Sequence, residues 1–332
     1  MNTSLSELLG QIRIGAKQAY GNMLLFCLLA EKEATEEFIT LDHALENKYL
    51  VISEVSKSGT VPSLKVRNSS KYKVLLMDGE ELVGAKQNRV LNTTILVGPY
   101  SNAVIPVSCV EQGRWSYNTE NFQSRSRSMS AELRRNKTRS VTRNLRSGSS
   151  FYANQGAVWE DIDRKYDRLG VNRSSTMAMS DLYESLSVSA GDYIKNFKHV
   201  CGQIGILVCI DSEIAGLEIL NRFEQFRQNH RKIVNSYILD ALETAHLDVM
   251  ANAASMRAKS KKFIEGILGA TIETRSSVSL GNDIRLDSEH FHGAGLESEN
   301  RILQLSVFPN IEENHCISQA PLRRASVRRR SR

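Results

Sequence analysis

No Cys-x-x-Cys pair occurs among the five cysteines, Cys27, Cys109, Cys201, Cys209 and Cys316. Three of them lie inside apolar runs such as Met-Leu-Leu-Phe-Cys-Leu-Leu, where a thiol behaves as a small hydrophobe, so the pattern is a reduced one and the chain is expected to fold without disulfides. No apolar run approaches the ~20 residues that a membrane-spanning helix needs, and the first residues have a polar, helix-like start instead of a signal peptide. A protein kept in the reducing cytoplasm is expected. No internal repeat is visible. The two most basic stretches, 124–148 and 323–332, carry almost no acid and no interleaved aromatics, which argues against a base-stacking platform.

Those two stretches make the whole of the positive charge. The chain of 332 residues has a formal net charge of +6, yet 124–148 holds eight Arg or Lys and one Glu, and 323–332 holds six Arg. The remainder has 29 basic against 36 acidic residues, a formal −7. An acidic body with two basic appendages follows. The segment 116–150, rich in Ser, Arg and Asn, is expected to be a mobile or partly helical insertion, and 318–332 a disordered tail. Either could contact nucleic acid or an acidic partner without sequence preference, and Arg134 or Arg135 could close over a pocket as a lid. Ser326, in Leu-Arg-Arg-Ala-Ser-Val, has the form of a basophilic kinase target.

Hydrophobic content of 41% supports a sizeable core. Leu5, Leu8, Leu9 and Ile12 predict a helix over 3–17, and the apolar run 22–30 a strand. Residues 41–46 read as a short helix, and 49–55, 62–66 and 73–77 as strands. The alternation of Leu91, Thr93, Ile95 and Val97 with Val90, Asn92, Thr94 and Leu96 predicts one strand over 90–97. Ile105, Val107 and Cys109 share a face of the next. Helices are expected over 157–169, 177–186 and 217–247, and strands over 204–210, 277–286, 290–295 and 301–308. Short strands at both chain ends, with helices between them, give an α+β fold as one interlocked domain over 1–317, its sheet antiparallel and β-rich.

Polar chemistry is concentrated between Met77 and Trp115. Asp78, Glu80, Glu81 and Glu111 supply carboxylates, Lys86, Arg89 and Arg114 cations, and Gln87, Asn88 and Gln112 amides. Carboxylates accept from ribose hydroxyls and cations take phosphate oxygens, so the set suits a ligand carrying both. Glu80 and Glu81 point to opposite sides of an ideal strand, so one of them faces such a pocket. A solvated hairpin with surface ion pairs is the plainer reading. Glu111 is the candidate general acid or base, unless a structural ion pair with Arg89 or Arg114 occupies it. Cys109 could be a nucleophile beside Arg114 or Lys86, but its strand parity with Ile105 and Val107 favours a buried packing role. The strand ends bearing Glu81, Arg89, Glu111 and Arg114 are expected to converge on one pocket. His290 and His292 share a strand face, with Glu289, Asp287 or Asp283 as a third ligand if a metal were held, although two polar residues on a solvated face is the favoured reading.

The stretch Asp78-Gly-Glu-Glu-Leu-Val-Gly-Ala-Lys-Gln-Asn-Arg89, followed by Asn92-Thr-Thr and Ile105-Pro-Val-Ser-Cys-Val-Glu-Gln-Gly-Arg-Trp115, resembles the ARPP domain, named for proteins associated with ADP-ribosylglycohydrolase and the rhodanese-phosphatase superfamily. Phe38 to Leu45, Val61 to Leu64, Gln155, Trp159, Gly293 to Leu296 and Leu303 to Phe308 extend the similarity. The resemblance implies NAD- or ADP-ribose-linked nucleotide metabolism, and a hydrolase or transferase if a reaction is catalysed. On it, Lys86, Arg89 and Arg114 would hold phosphates, Glu80 or Glu81 a ribose, and Trp115 would stack on a base, with Glu81, Glu111 and Cys109 as the catalytic candidates. Asp78, Gln87, Asn88 and Gln112 complete the implied binding set. A non-catalytic nucleotide sensor, or an adaptor docking through its basic arms, is the alternative.

Overall fold

The computed structural model describes residues 3–56, 58–245 and 252–310. In chain order the elements are α1 (Thr3–Gln11), β1 (Arg13–Tyr20), β2 (Met23–Leu29), β3 (Ile39–Thr40), α2 (Leu41–Glu46), β4 (Leu50–Glu54), β5 (Ser63–Asn68), β6 (Val74–Leu76), β7 (Glu80–Gly84), β8 (Arg89–Leu91), β9 (Ile95–Val97), β10 (Asn102–Cys109) and β11 (Phe122–Ser128). They continue with α3 (Ala131–Arg146), α4 (Gln155–Leu169), α5 (Met179–Ser185), α6 (Ser187–Asn196), β12 (Gln203–Ile210), β13 (Glu213–Leu220), α7 (Phe223–Thr244), α8 (Ala253–Ile267), β14 (Thr271–Ser276), β15 (Asn282–Asp287), β16 (Phe291–Ser298) and β17 (Arg301–Pro309). The fold is α+β, and among the described residues every ladder is antiparallel except the short pairing of β3 with β6.

Strands from both chain ends form an eight-stranded sheet in the order β1-β2-β12-β13-β17-β16-β15-β14. Strand parity splits its apolar residues between two cores. Met23, Leu25 and Cys27 of β2 pack with Val234, Tyr237 and Ile238 of α7, while Leu24, Phe26 and Leu28 pack with Leu5, Leu8 and Leu9 of α1 and Met256 of α8. A second, six-stranded sheet runs β11-β7-β8-β10-β5-β4 and curls until its edges β4 and β11 touch. Leu50, Ile52, Leu64, Val66, Leu82, Leu91, Ile105, Val107 and Phe122 fill its interior.

Four expectations are corrected. The helix over 3–17 stops at Gln11, because Arg13–Tyr20 completes the hydrogen bonding of β2. The helix over 217–247 begins only at Phe223: 213–220 is a hairpin strand, turned back on β12 at Asp211 and Ser212, both at positive φ. The strand over 90–97 is two strands. Thr93 donates to Asp283 Oδ2 at 2.7 Å and Thr94 to Gln304 Oε1 at 2.8 Å, so side chains bound into the neighbouring sheet interrupt the ladder.

The fourth concerns the basic segment 116–150, which is built into the molecule. Phe122–Ser128 pairs with β7, and α3 lies against α4, α7 and β16. Leu133, Val141 and Leu145 supply an apolar stripe that average polarity conceals, and Arg134 and Lys137 are buried with it. Arg134 Nη2 meets Glu218 at 2.7 Å, and Lys137 is bound to Asp78. The expected tail 318–332, with Ser326, lies outside the described residues. Among the described residues no helix is long and apolar enough to cross a membrane.

Candidate functional site

Strand alternation puts Glu54 of β4, Arg89 of β8 and Cys109 of β10 inside one end of the curled sheet. Glu54 continues the inward series of Leu50 and Ile52, and Arg89 lies directly opposite Cys109. The loops closing this end join β4 to β5, β7 to β8 and β10 to β11. They carry Gly59, Lys86 and the segment Glu111–Asn121, so most of the polar motif meets at one mouth. Barrel mouths are a recurrent place for ligands.

A hydrogen-bonded knot fixes the rim. Glu111 accepts from Arg114 Nε at 2.9 Å and Nη2 at 2.6 Å, and from the Asn88 backbone N–H at 3.0 Å. Arg114 also donates to the carbonyls of Ala85 at 2.7 Å and Ser116 at 3.0 Å, and to Asn88 Oδ1 at 3.1 Å. These contacts hold Ala85 at φ 41°, an unusual conformation for a residue other than glycine. Gly113 donates to Thr176 O at 3.0 Å, and a Cβ there would stand 2.5 Å from Ser175 O, so only glycine permits the approach. The bidentate Glu111–Arg114 pair is therefore structural. The polar atoms of Glu111 and Arg114 are engaged in holding the rim together. Gln87 Nε2 donates to Glu111 O, and its Oε1 accepts from Arg89 Nη1 at 2.9 Å. Gln112 is exposed.

Inside the rim, hydrogen-bonding capacity is left over. Neither oxygen of Glu54 has a hydrogen-bond partner among the described residues, nor do Nε and Nη2 of Arg89. The two side chains are 3% and 0% exposed and 3.9 Å apart at Nη2 and Oε1, beyond hydrogen-bonding range. Burial pulls the Arg89 pKa down, with Cys109 and Glu54 opposing. A buried carboxylate beside a buried guanidinium, each with unused hydrogen-bonding groups, is costly unless something completes it. Above them lie two exposed aromatics. The Arg89 guanidinium is 5.5 Å from the Trp115 ring centroid, and Lys86 Nζ is 5.4 Å from that ring and 5.2 Å from Tyr117. Lys86 also donates to Ser58 O at 2.6 Å. A cleft of about 760 Å³, lined by Glu54, Tyr117, Asn118 and Glu120 among others, opens beside them.

Cys109 is fully buried, and burial pushes its thiol up to about 11. Gln155 clamps its backbone, accepting from Cys109 N at 2.8 Å and donating to Cys109 O at 2.9 Å. A protonated thiol in this position packs and does not attack. Cys109→Ala is expected to retain ligand binding and to cost about 1 kcal/mol in urea denaturation. Loss of all activity in the folded variant would restore the nucleophile.

The remaining motif residues lie elsewhere. Asp78 accepts from Lys137 and from Thr138 Oγ1 in the buried layer between the sheets. Glu80 meets Lys232 Nζ at 2.5 Å and accepts from Met77 N at 2.8 Å. Glu81 lies opposite Val90, on the face of β7 that Met129, Leu182 and Tyr183 cover. Arg89, Glu111 and Arg114 lie near one another at the mouth without lining the cleft beside it, and Glu81 does not join them, since a strand of alternating parity cannot turn Glu81 and Leu82 to the same side. The anionic residue that does face the interior, Glu54, was missed by sequence reasoning. Its only signal was the parity of Leu50 and Ile52.

His292 and the carboxylates that gather most closely are engaged within the protein. His292 is bonded through Nδ1 to Asn310 Oδ1 at 2.7 Å and through Nε2 to Arg135 O at 2.9 Å, while His290 is exposed. Glu132, Asp240 and Glu243 gather closely enough to ligate an ion. The buried Lys165 ammonium is bound to all three carboxylates and supplies the positive charge there.

A family model described as ARG and Rhodanese-Phosphatase-superfamily-associated Protein domain matches residues 11–308. No curated protein matches the chain, and no solved structure does.

Proposed function

The chain belongs to the ARPP-1 family, and on that premise we propose that it binds a nucleotide of the NAD or ADP-ribose class at the mouth of the curled sheet. The observation carrying this reading is the pair of buried groups with unused hydrogen-bonding capacity, Glu54 and Arg89, beneath the exposed rings of Trp115 and Tyr117. Trp115 offers a face for a base, Lys86 a charge for a phosphate, and Glu54 two acceptors for ribose hydroxyls. This keeps the roles drawn for Lys86, Arg89 and Trp115 and gives Glu54 the ribose role assigned to Glu80 or Glu81. Buried free thiols at Cys27, Cys109 and Cys209 support a cytoplasmic setting.

Isothermal titration with ADP-ribose tests the reading. Trp115→Ala is expected to weaken binding roughly 5- to 100-fold, the range for losing one base–aromatic stack. Glu54→Gln should weaken it as well, by removing acceptors for hydroxyl donors. Unchanged affinity in both variants sinks the proposal. Incubating the wild type with NAD, ADP-ribose and ADP-ribosylated protein, and looking for product as well as binding, then separates an enzyme from a sensor.

A further inference from the structure

On the side of the molecule that Glu80 faces, a second cleft of about 470 Å³ is lined by four cations, Arg125 and Arg127 of β11 and Arg231 and Lys232 of α7. We propose that it is a binding site for a diphosphate group, independent of the mouth of the curled sheet.

Backbone geometry brings the β11 cations in. The ladder between β11 and β7 loses register between Ser124 and Ser128, and Ser126 sits at φ 51° inside that irregularity. Its N–H donates to Ser124 Oγ at 3.0 Å and its hydroxyl to Asp42 Oδ2 at 2.9 Å. A bulge lets three consecutive residues, Arg125 to Arg127, line one cleft where a regular strand would send the middle one away. The strain is held by named partners, as at sites where it is maintained for use.

The charge is arranged to leave donors open. Asp42 and Glu80 point at the buried Lys232 Nζ, at 2.8 and 2.5 Å, so these acids are engaged in the floor. Arg125 and Arg127 share a single carboxylate oxygen, Glu184 Oε1, at 3.1 and 3.5 Å. Arg231 has no ion-pair partner among the described residues, and it is exposed. Three guanidinium groups carry fifteen N–H donors, of which the contacts to Glu184 and that of Arg127 to Ser180 O at 3.4 Å use three. Planar forks around a concave wall match phosphate oxygens, and the volume is that of a small-molecule site. The cleft also accounts for part of the basic segment: Arg125 and Arg127 stand at a pocket, in place of a loose nucleic-acid arm.

Titration with inorganic pyrophosphate, ADP and ADP-ribose at about 150 mM KCl tests this, since diffuse attraction is screened at that ionic strength. Saturable one-to-one pyrophosphate binding is expected, with Arg231→Glu weakening it by about tenfold or more and Arg125→Gln by a smaller factor. Both side chains are exposed, and thermal melts should show folded variants. Trp115→Ala should leave pyrophosphate binding unchanged while it weakens ADP-ribose binding at the mouth, so the two sites fail separately. In the Trp115→Ala protein, ADP binding that is tighter than pyrophosphate and weakened by Arg231→Glu would place a nucleotide in the cleft, and equal binding a free diphosphate. Absence of saturable pyrophosphate binding, indifference to Arg231→Glu, or sensitivity to Trp115→Ala would each overturn the proposal.

Discussion

Replacing Lys165 with Met should lower the unfolding free energy by about 3–5 kcal/mol near neutral pH, the usual result of leaving buried charge uncompensated. The Lys165 side chain is fully buried, and its ammonium meets Glu132 at 2.8 Å, Asp240 at 2.7 Å and also Glu243. These acids come from α3 and α7 while the lysine comes from α4, so one cation ties three helices together. Burial raises the Glu243 carboxyl to about 7, whereas Glu132 is brought to about 2, where Lys165 and Arg168 overcome burial. A depressed carboxylate stabilises the fold above its unfolded value, and that contribution is lost as pH falls toward 2. Without Lys165 the sign reverses, since three clustered carboxylates favour protonation. The deficit of the variant should therefore shrink between about pH 7.5 and pH 5. Urea denaturation at the two values measures it. A loss below about 1 kcal/mol, or one that does not change with pH, would refute the role given to this ammonium.

The same cluster explains why part of the fold was legible in the sequence and part was not. Elements carried by a continuous apolar run or a single apolar stripe were readable: 41–46, 157–169, 204–210 and 301–308 all fall within one or two residues of α2, α4, β12 and β17. Helix α3 was not, because its inward face mixes Leu133, Val141 and Leu145 with Arg134 and Lys137. Composition counts a buried, paired arginine as a solvated one. What makes Arg134 an interior residue is Glu218, a partner 84 positions away that no local pattern reveals.

The mouth was legible to the extent that its residues cluster in sequence. Lys86 to Arg89 and Glu111 to Trp115 were singled out together and do meet, since adjacent antiparallel strands bring their ends together. Which of them remain available could not be read. Glu111 and Arg114 satisfy each other, whereas Arg89 retains unused donors because its nearest acid, Glu54, comes from the opposite edge of the curled sheet. Glu54 lies 35 positions before Arg89, in a strand with nothing polar to recommend it except this one inward carboxylate.

Glu81 yields the last prediction, which separates a catalytic carboxylate from a strained one. It is fully buried, and neither oxygen has a hydrogen-bond partner among the described residues. Burial pushes it up to about 7, with Arg127 and Arg125 pulling down and Glu184 and Glu111 pushing up. The folded state therefore holds a proton that the unfolded state releases near its ordinary value of 4.5. Stability from this group is complete below that value and declines as pH rises through about 7, because the unfolded chain then binds fewer protons than the native one. A rise of about 2.5 units corresponds to roughly 3 kcal/mol of penalty once Glu81 is ionised. Glu81→Gln keeps the shape and removes the ionisation. It should match the wild type near pH 4.5 and exceed it by about 2–3 kcal/mol near pH 8. Glu243 titrates in the same range and slopes both curves, so the difference between the two proteins is the quantity to read. Equal stability of the two at both pH values, or a less stable glutamine variant at the higher one, would mean that Glu81 is ionised and partnered in the native protein. If incubation with NAD or ADP-ribose yields product, a more stable variant that loses this turnover would show a destabilising carboxylate retained for chemistry, whereas one that keeps it would leave Glu81 outside the reaction.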